Sequence, residues 1–335
     1  MMGRPKLSAS IVALTLFWAA GAASVQAADI EDPGCTISGA AGIGYMFDWQ
    51  EVEFDGVGSV FNNFSGDVDW DTPLGEAGGL VTCGGFNAQA DFAYYDHSTD
   101  LADLSNFGKA DLGDLDAANS HFGGALFWRD PSMAALGVSA SWVNQDVFSK
   151  DVDLFRFGVF GEFYADILTL GASAHYFAGD FIQNSDTDGF ELAAYGRFYA
   201  MPDLSLTLRG DALLSTIEPG TGSNDADFDG WAVTGEAEYL VWDKGLSIFG
   251  GARYAERTLE TDGEGDVDFY DTQVYAGLKF YFGQDGSLMD RQRTGLIDNT
   301  STFNEKLPNW FSSEIAAALD VLEGIDLPPP PPPPP

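Results

Sequence analysis

The residues best suited to acid–base chemistry in this chain are its three histidines, His97, His121 and His175. A serine beside a histidine is the core of many hydrolases, because the imidazole takes the hydroxyl proton. Ser120 and His121 are adjacent and would point to opposite faces of a strand, whereas Ser173 and His175 share a face. Neither pair is accompanied by a nucleophile elbow or an acidic signature, so the sequence predicts no enzyme and no cofactor.

Metal binding by cysteine is not predicted either. The chain has two cysteines, Cys35 and Cys83, without a close pair or a matching histidine.

Charged side chains between residues 120 and 280 form a second candidate site. Arginines are interleaved with aspartates and glutamates on the polar phases of the predicted strands. Arginine keeps its charge in any environment and pairs bidentately with carboxylates. Two interpretations stay open for an enclosed interior: the charges line a water-filled pore, or they neutralise one another in a plugged lumen. The predicted lumen residues are Arg129, Arg156, Glu162, Glu191, Arg197, Arg209, Asp211, Glu236, Glu238, Arg253, Asp271 and, at a strand end, Arg257.

The elements that would position these residues are strands with one apolar face. In 203–215 the even positions are apolar or glycine, whereas most odd positions are polar, a period of two. Similar segments lie at 36–48, 82–95, 120–129, 135–146, 155–163, 168–178, 190–200, 231–241, 246–254 and 270–282, with a weaker one at 58–70. The apolar phases of the clear segments contain one charged residue, Asp146 at the end of 135–146.

A soluble β-sandwich is the alternative to a membrane barrel for such strands. Two features favour the barrel: the apolar faces are rich in Ala and Gly with aromatic fringes, and short and long connections alternate, with 148–151 as an exception. Lipid also demands closure, because an open edge leaves backbone groups unpaired. The sequence predicts an all-β, antiparallel up-and-down barrel of about twelve strands, within a range of roughly 10–14.

The chain begins with the features of an exported protein. Residues 1–27 are predicted to be a signal peptide, with Arg4 and Lys6 before the apolar run Leu7–Ala23 and the small-residue cleavage site Val25-Gln26-Ala27. The net charge of −37 repels phosphates and excludes nucleic acid as a partner.

The final strand carries a family resemblance. Tyr275-x-Gly277-x-x-Phe280-x-Phe282 resembles the last-strand signal by which Gram-negative outer-membrane barrels are recognised and inserted, although that signal usually has a polar residue where Tyr275 stands. The resemblance implies a porin-like outer-membrane β-barrel over 28–283. It also implies contact with outer-membrane lipids and with the barrel-assembly machinery.

Residues 284–335 are predicted to be a periplasmic tail. Asp290–Lys306 is polar and indicates a linker, Trp310–Leu322 a short helix, and Pro328–Pro335 a polyproline II rod. The rod docks or spaces the tail against a periplasmic or cell-wall partner, or the terminus is unstructured.

A disulfide between Cys35 and Cys83 would suit an oxidising periplasm. The predicted strands, however, place the two cysteines in opposite phases with the weak strand between them, so both redox states stay open.

The function predicted from these features is passive diffusion of small hydrophilic solutes or ions across the outer membrane. A non-conducting barrel that anchors the envelope or acts as an adhesin-like surface protein is the alternative. A barrel lipase using His121 or His175 is a third hypothesis.

Overall fold

The computed structural model describes residues 34–55, 64–99, 115–147, 150–181, 185–218, 225–261 and 265–297. The predicted signal peptide, the tips of most long acidic loops and the tail from residue 298 onward lie outside the described residues.

The described chain forms one closed antiparallel barrel. Each strand pairs with its neighbours in sequence, and the last strand pairs with the first, so the sheet has no open edge. The predicted up-and-down barrel of about twelve strands is therefore confirmed. The strands are β1 (Cys35–Asp55), β2 (Phe64–Cys83), β3 (Phe86–Thr99), β4 (Leu115–Asp130), β5 (Ala134–Val147), β6 (Lys150–Ala165), β7 (Leu168–Phe181), β8 (Ser185–Met201), β9 (Leu204–Glu218), β10 (Ala226–Trp242), β11 (Leu246–Thr261) and β12 (Gly265–Phe282).

The connections divide the barrel into two rims. The short-turn rim holds Cys35, Phe282 and the tight links at 84–85, 131–133, 166–167, 202–203 and 243–245. The opposite, long-loop rim holds the longer connections at 56–63, 100–114 and 219–225. It also holds the three-residue links at 182–184 and 262–264 and the shortest link, 148–149, which lies in the exception noted in the sequence.

The turn after β4 shows how the tight links are stabilised. Ser132 donates its hydroxyl and its N–H to the Asp130 carboxylate, at 2.7 and 2.9 Å. These hydrogen bonds lower the pKa of Asp130, because they favour its charged form.

The outer face of the barrel is apolar. Leu126, Leu136 and Leu208 on the outer wall are 64%, 66% and 65% exposed. Exposed tryptophans lie toward both rims, Trp49, Trp142 and Trp231 near the long loops and Trp128 and Trp242 near the short turns. Two aromatic girdles around an apolar band are typical of transmembrane barrels.

The strands extend further toward the long-loop rim than the alternating segments of the sequence suggest. Their extensions turn acidic side chains outward, including the exposed Glu51, Asp186, Glu218, Asp227 and Glu260. The acidic character of the long loops therefore begins on the strands themselves.

Strand β2 corrects the sequence interpretation. The strands predicted at 58–70 and 82–95 are β2 and β3, whose boundaries lie at 64–83 and 86–99. In the second half of β2 the large apolar residues face the opposite way from those of the other predicted strands. Gly75, Ala77 and Gly79 face outward, whereas Leu74 and Leu80 are buried inside. A small-residue outer face with leucines inside gives no apolar stripe, so the pattern was missed.

The cysteine geometry is also corrected. Because β1 and β2 are direct neighbours, Cys35 lies opposite Cys83 in the same register and on the same outer face. The Cα atoms are 4.2 Å apart and the two residues form a disulfide. The expected opposite phases and intervening strand are wrong, since they followed from the misplaced boundary of β2.

After β12 the chain turns back and forms a short helix, α1 (Leu288–Thr294). The sequence predicted a linker beginning at Asp290, and the structure instead places ordered backbone there up to Ile297. Within the described ranges, no helix has the length and apolarity needed to cross a membrane.

Candidate functional site

The predicted lumen residues all lie on the inward phase of their strands. Ten of the eleven that lie within strand interiors are less than 9% exposed, and Glu236 is half-buried; Arg257 is fully buried. Their burial raises a question that sequence could not answer, because a wide water-filled pore would leave these side chains accessible.

One buried group joins β5, β6, β7 and β8. Arg156 forms an ion pair with Glu191 at 2.9 Å, and its guanidinium also lies 3.0 Å from His175 Nδ1. His175 Nε2 is 2.8 Å from Ser139 Oγ. Guanidinium nitrogens only donate, so Nδ1 accepts, and the neutral ring carries its proton on Nε2 and donates to Ser139.

This tautomer bears on the hydrolase hypothesis. A histidine that donates to a serine hydroxyl does not accept that hydroxyl's proton, so the pair lacks the general base of an activated nucleophile. The serine bonded to His175 is Ser139 on the neighbouring part of the wall, rather than Ser173 as the sequence spacing suggested.

A second network lies in β1, β11 and β12. Asp271 faces Arg253 and Arg257 at 3.6 and 3.5 Å. Gln273 donates to both Asp271 and Asp48, at 3.1 and 3.3 Å, and so connects two carboxylates across adjacent strands.

Tyrosines bind several of the remaining carboxylates. Glu162 accepts from Tyr164 and Tyr195, Glu236 from Tyr275 at 3.0 Å, and Glu238 from Tyr281 at 2.8 Å. The sequence analysis did not predict that these tyrosines bind the lumen carboxylates. Each of them lies on the polar phase of its strand, and that position could have identified it as a lumen residue.

The two remaining predicted arginines near the middle of the wall have polar partners beside them. Arg209 contacts Asp211 at 2.7 Å on its own strand, and Arg197 donates to Thr207. The lumen charges described here thus have ionic or hydrogen-bonding partners on their own or on nearby strands, and the paired side chains narrow the lumen. Among the described residues, no group of three or more His, Cys, Asp or Glu is arranged to hold a metal ion.

The short-turn end of the lumen is occupied by the chain itself. Residues 284–297, here called the C-terminal segment, follow β12 and lie inside this rim. Helix α1 begins with a capping box between Ser287 and Asp290. Met289 N–H donates to the Pro202 carbonyl in the β8–β9 turn, and Arg291 donates to the Asp243 carbonyl in the β10–β11 turn.

The residues of the predicted insertion signal lie on both faces of β12. Tyr275 and Gly277 face the lumen, and Phe280 and Phe282 face outward near the short-turn rim. The two phenylalanines therefore belong to the outer apolar surface of the strand that closes the barrel against β1.

No family model matches the chain, and no curated protein matches it. Solved structures of similar fold include an outer-membrane channel from Pseudomonas putida F1, with 13% identity, 76% of this chain and 99% of that chain covered, and a TM-score of 0.47. The KdgM porin has 10% identity, coverages of 71% and 99%, and a TM-score of 0.37. An anion-selective porin from Comamonas acidovorans has 8% identity, coverages of 74% and 99%, and a TM-score of 0.35. At these values the likeness is one of fold, and it assigns no solute to this chain.

Proposed function

We propose that this protein is a porin-like channel in the outer membrane of a Gram-negative bacterium, through which small hydrophilic solutes or ions diffuse. The observation that carries the proposal is the inverted distribution of side chains. Large apolar groups cover the outside of a closed barrel, while arginines and carboxylates lie on its inside, beside buried apolar side chains such as Phe177, Leu213 and Phe269. Water would penalise that outer surface by roughly 25 cal/mol per Å², whereas acyl chains accept it.

Planar-bilayer recordings of the refolded full-length protein test the channel. The lumen is narrow because paired side chains such as Arg156 and Glu191 fill it. We expect discrete conductance steps that become larger when both residues are replaced by alanine. Replacing the exposed outer residue Glu218 by alanine is the control and should leave the step size unchanged. Absence of steps from the wild type, from the widened variant and from a variant whose C-terminal segment is expelled from the mouth (Leu288→Asp with Ile297→Asp), at any salt concentration, rejects the channel.

A non-conducting structural barrel is the second candidate. It is favoured by the local pairing of the buried lumen charges and by the C-terminal segment inside the short-turn rim. In this case the tail from residue 298 onward would bind a periplasmic or cell-wall partner. Deleting residues 298–335 should then release the protein from the cell-wall fraction, while unchanged association counts against the anchor.

Outer-membrane lipids and the barrel-assembly machinery are the partners we propose. Phe282 ends β12 on the lipid-facing side, where an assembly factor would meet the last strand. Phe282→Ala should slow assembly in cells more than Leu278→Ala, which removes an exposed apolar group from the same face of the same strand. Equal assembly rates of the two variants would contradict recognition through this position.

A further inference from the structure

The chain folds back into the barrel immediately after β12, and two glycines permit the reversal. Gly283 and Gly286 have φ values of 69° and 104°, in the region that favours glycine. A Cβ at Gly283 would collide with the Ile37 carbonyl oxygen, and one at Gly286 would crowd the Asp290 carboxylate. The reversal directs the C-terminal segment into the short-turn mouth.

Apolar side chains anchor both ends of the C-terminal segment. Leu288 at the start of α1 is 0% exposed and clusters with Ala40, Leu240 and Tyr281. Ile297 at the other end is 2% exposed and belongs to a cluster contributed by β2, β4, β5 and β6. The segment thus spans the mouth between two separate apolar sites on the wall.

Polar wall residues bind the backbone of the segment specifically. The Gln89 amide accepts from Ile297 N–H at 2.8 Å and donates to Ile297 carbonyl oxygen at 3.1 Å. Arg129 donates to the Gly295 carbonyl at 2.6 Å. A side-chain amide used in both directions on one residue pairs an extended backbone as a neighbouring strand would.

Two side chains of α1 fill polar sites on the opposite wall. Gln292 donates to Glu238 at 2.8 Å beside Ser205. Arg293 lies between the rings of Tyr164 and Tyr199, with its guanidinium carbon 5.5 and 5.3 Å from their centroids. It also donates to Leu168 carbonyl oxygen and Thr169 Oγ1, at 3.0 and 3.3 Å. Stacking on aromatic faces with peripheral hydrogen bonds is a favourable environment for guanidinium.

The polar and aromatic contacts of the segment reach β3, β4 and β6 through β10 around the mouth, and its two apolar anchors add β1, β2, β5 and β12. We propose that the C-terminal segment is a stopper that seals the lumen against water from the short-turn side, with Arg293 as its latch. Conductance steps of the full-length protein would then report the moments at which this segment leaves the mouth. The proposal rests on the channel function for its physiological meaning, but the seal itself is a property of the fold and is measured separately.

Thiol accessibility in the full-length, detergent-solubilised protein tests the seal. Both native cysteines are bonded, so Ser205→Cys introduces a single reactive thiol at a position that is 1% exposed beside Gln292. A charged methanethiosulfonate should modify it at least tenfold more slowly than the exposed turn thiol of Met133→Cys. Equal rates at the two positions would overturn the stopper.

Ejecting the segment should remove this protection. Leu288→Asp combined with Ile297→Asp places a carboxylate in each apolar anchor, and should raise the modification rate of the Ser205→Cys thiol at least tenfold. Thr294→Asp adds a carboxylate to an exposed position of the same segment and should leave the rate unchanged. Circular dichroism of the β-sheet verifies that the double variant is folded. If the folded double variant retains the slow modification rate, the stopper is refuted.

The latch is tested by milder variants that keep both anchors. Arg293→Ala should raise the rate severalfold, and Arg293→Lys, which keeps the cation but loses the planar group, should fall between alanine and wild type. Rates indistinguishable from wild type in Arg293→Ala would refute the latch. If labelling behaves as expected while no variant conducts, the stopper stands and the channel proposal fails, so the two are distinguishable.

Discussion

Replacing Glu191 by glutamine removes one partner of a buried ion pair in the lumen. Arg156 and Glu191 are 2% and 1% exposed and 2.9 Å apart, with the neutral His175 as a further neighbour of the guanidinium. In a packed lumen, the variant leaves a buried charge without its counter-ion, which costs about 3–5 kcal/mol of unfolding free energy. In a water-filled pore, the same pair would contribute roughly 0.2–1 kcal/mol.

Equilibrium urea unfolding of the barrel in lipid vesicles, followed by tryptophan fluorescence, measures this difference. Glu218→Gln is the matched control, since it removes the same charge from an exposed position on the outer rim, and should change the free energy by less than about 0.5 kcal/mol. A loss below about 1 kcal/mol for Glu191→Gln would refute the reasoning, because it would mean that water already hydrates the lumen charges.

Three further predictions use the same unfolding measurement. Replacing both cysteines by serine opens a crosslink with a sequence separation of 48. It should therefore cost about 3–4 kcal/mol from chain entropy, and an unchanged free energy would contradict this. Gly277→Ala should destabilise by about 1–3 kcal/mol, because the added Cβ would collide with the Phe249 ring and the Ile43 carbonyl oxygen, whereas Gly79→Ala meets open space and should be nearly neutral; equal effects would argue against the packing described. Leu208→Arg on the outer wall should cost about 2–4 kcal/mol in a bilayer, against about 0–1 for Glu218→Arg near the rim of the same strand. Equal costs would place this wall outside the membrane.

The alternation of polar and apolar residues was sufficient to predict the barrel. A period of two depends only on neighbouring residues, so the inward phase of Arg209 and Asp211 could be assigned without knowing which strands pair. The same rule failed in β2, where Leu74 and Leu80 face inward and glycines face outward. In β2, which face is buried depends on the side chains of other strands that pack against it. A pattern of neighbouring residues in the sequence does not contain that information.

The sequence could predict which charged residues face the lumen but not which of them contact one another. The sequence placed these charged residues in the lumen, yet the open pore and the neutralised interior both stayed open, because both use the same side chains. Pairings such as Arg253 with Asp271 depend on the register between β11 and β12. The tyrosines that bind Glu236 and Glu238 come from a strand and a register that sequence spacing does not specify.

The C-terminal segment shows most clearly what the sequence could not predict. Gln292 and Arg293 are polar residues in a polar stretch, and by composition alone they indicate a solvated linker. Gln292 is buried and Arg293 is half-buried, because both lie in the short-turn mouth, where Glu238, Tyr164 and Tyr199 converge from separate strands. Residue order and periodicity thus determined that the chain forms a barrel whose outside is apolar and whose charged strand residues near the middle of the wall face inward. Only closure of the sheet decided which charges pair, that the cysteines meet, and that the end of the chain occupies the mouth, because each of these depends on distances between residues far apart in sequence.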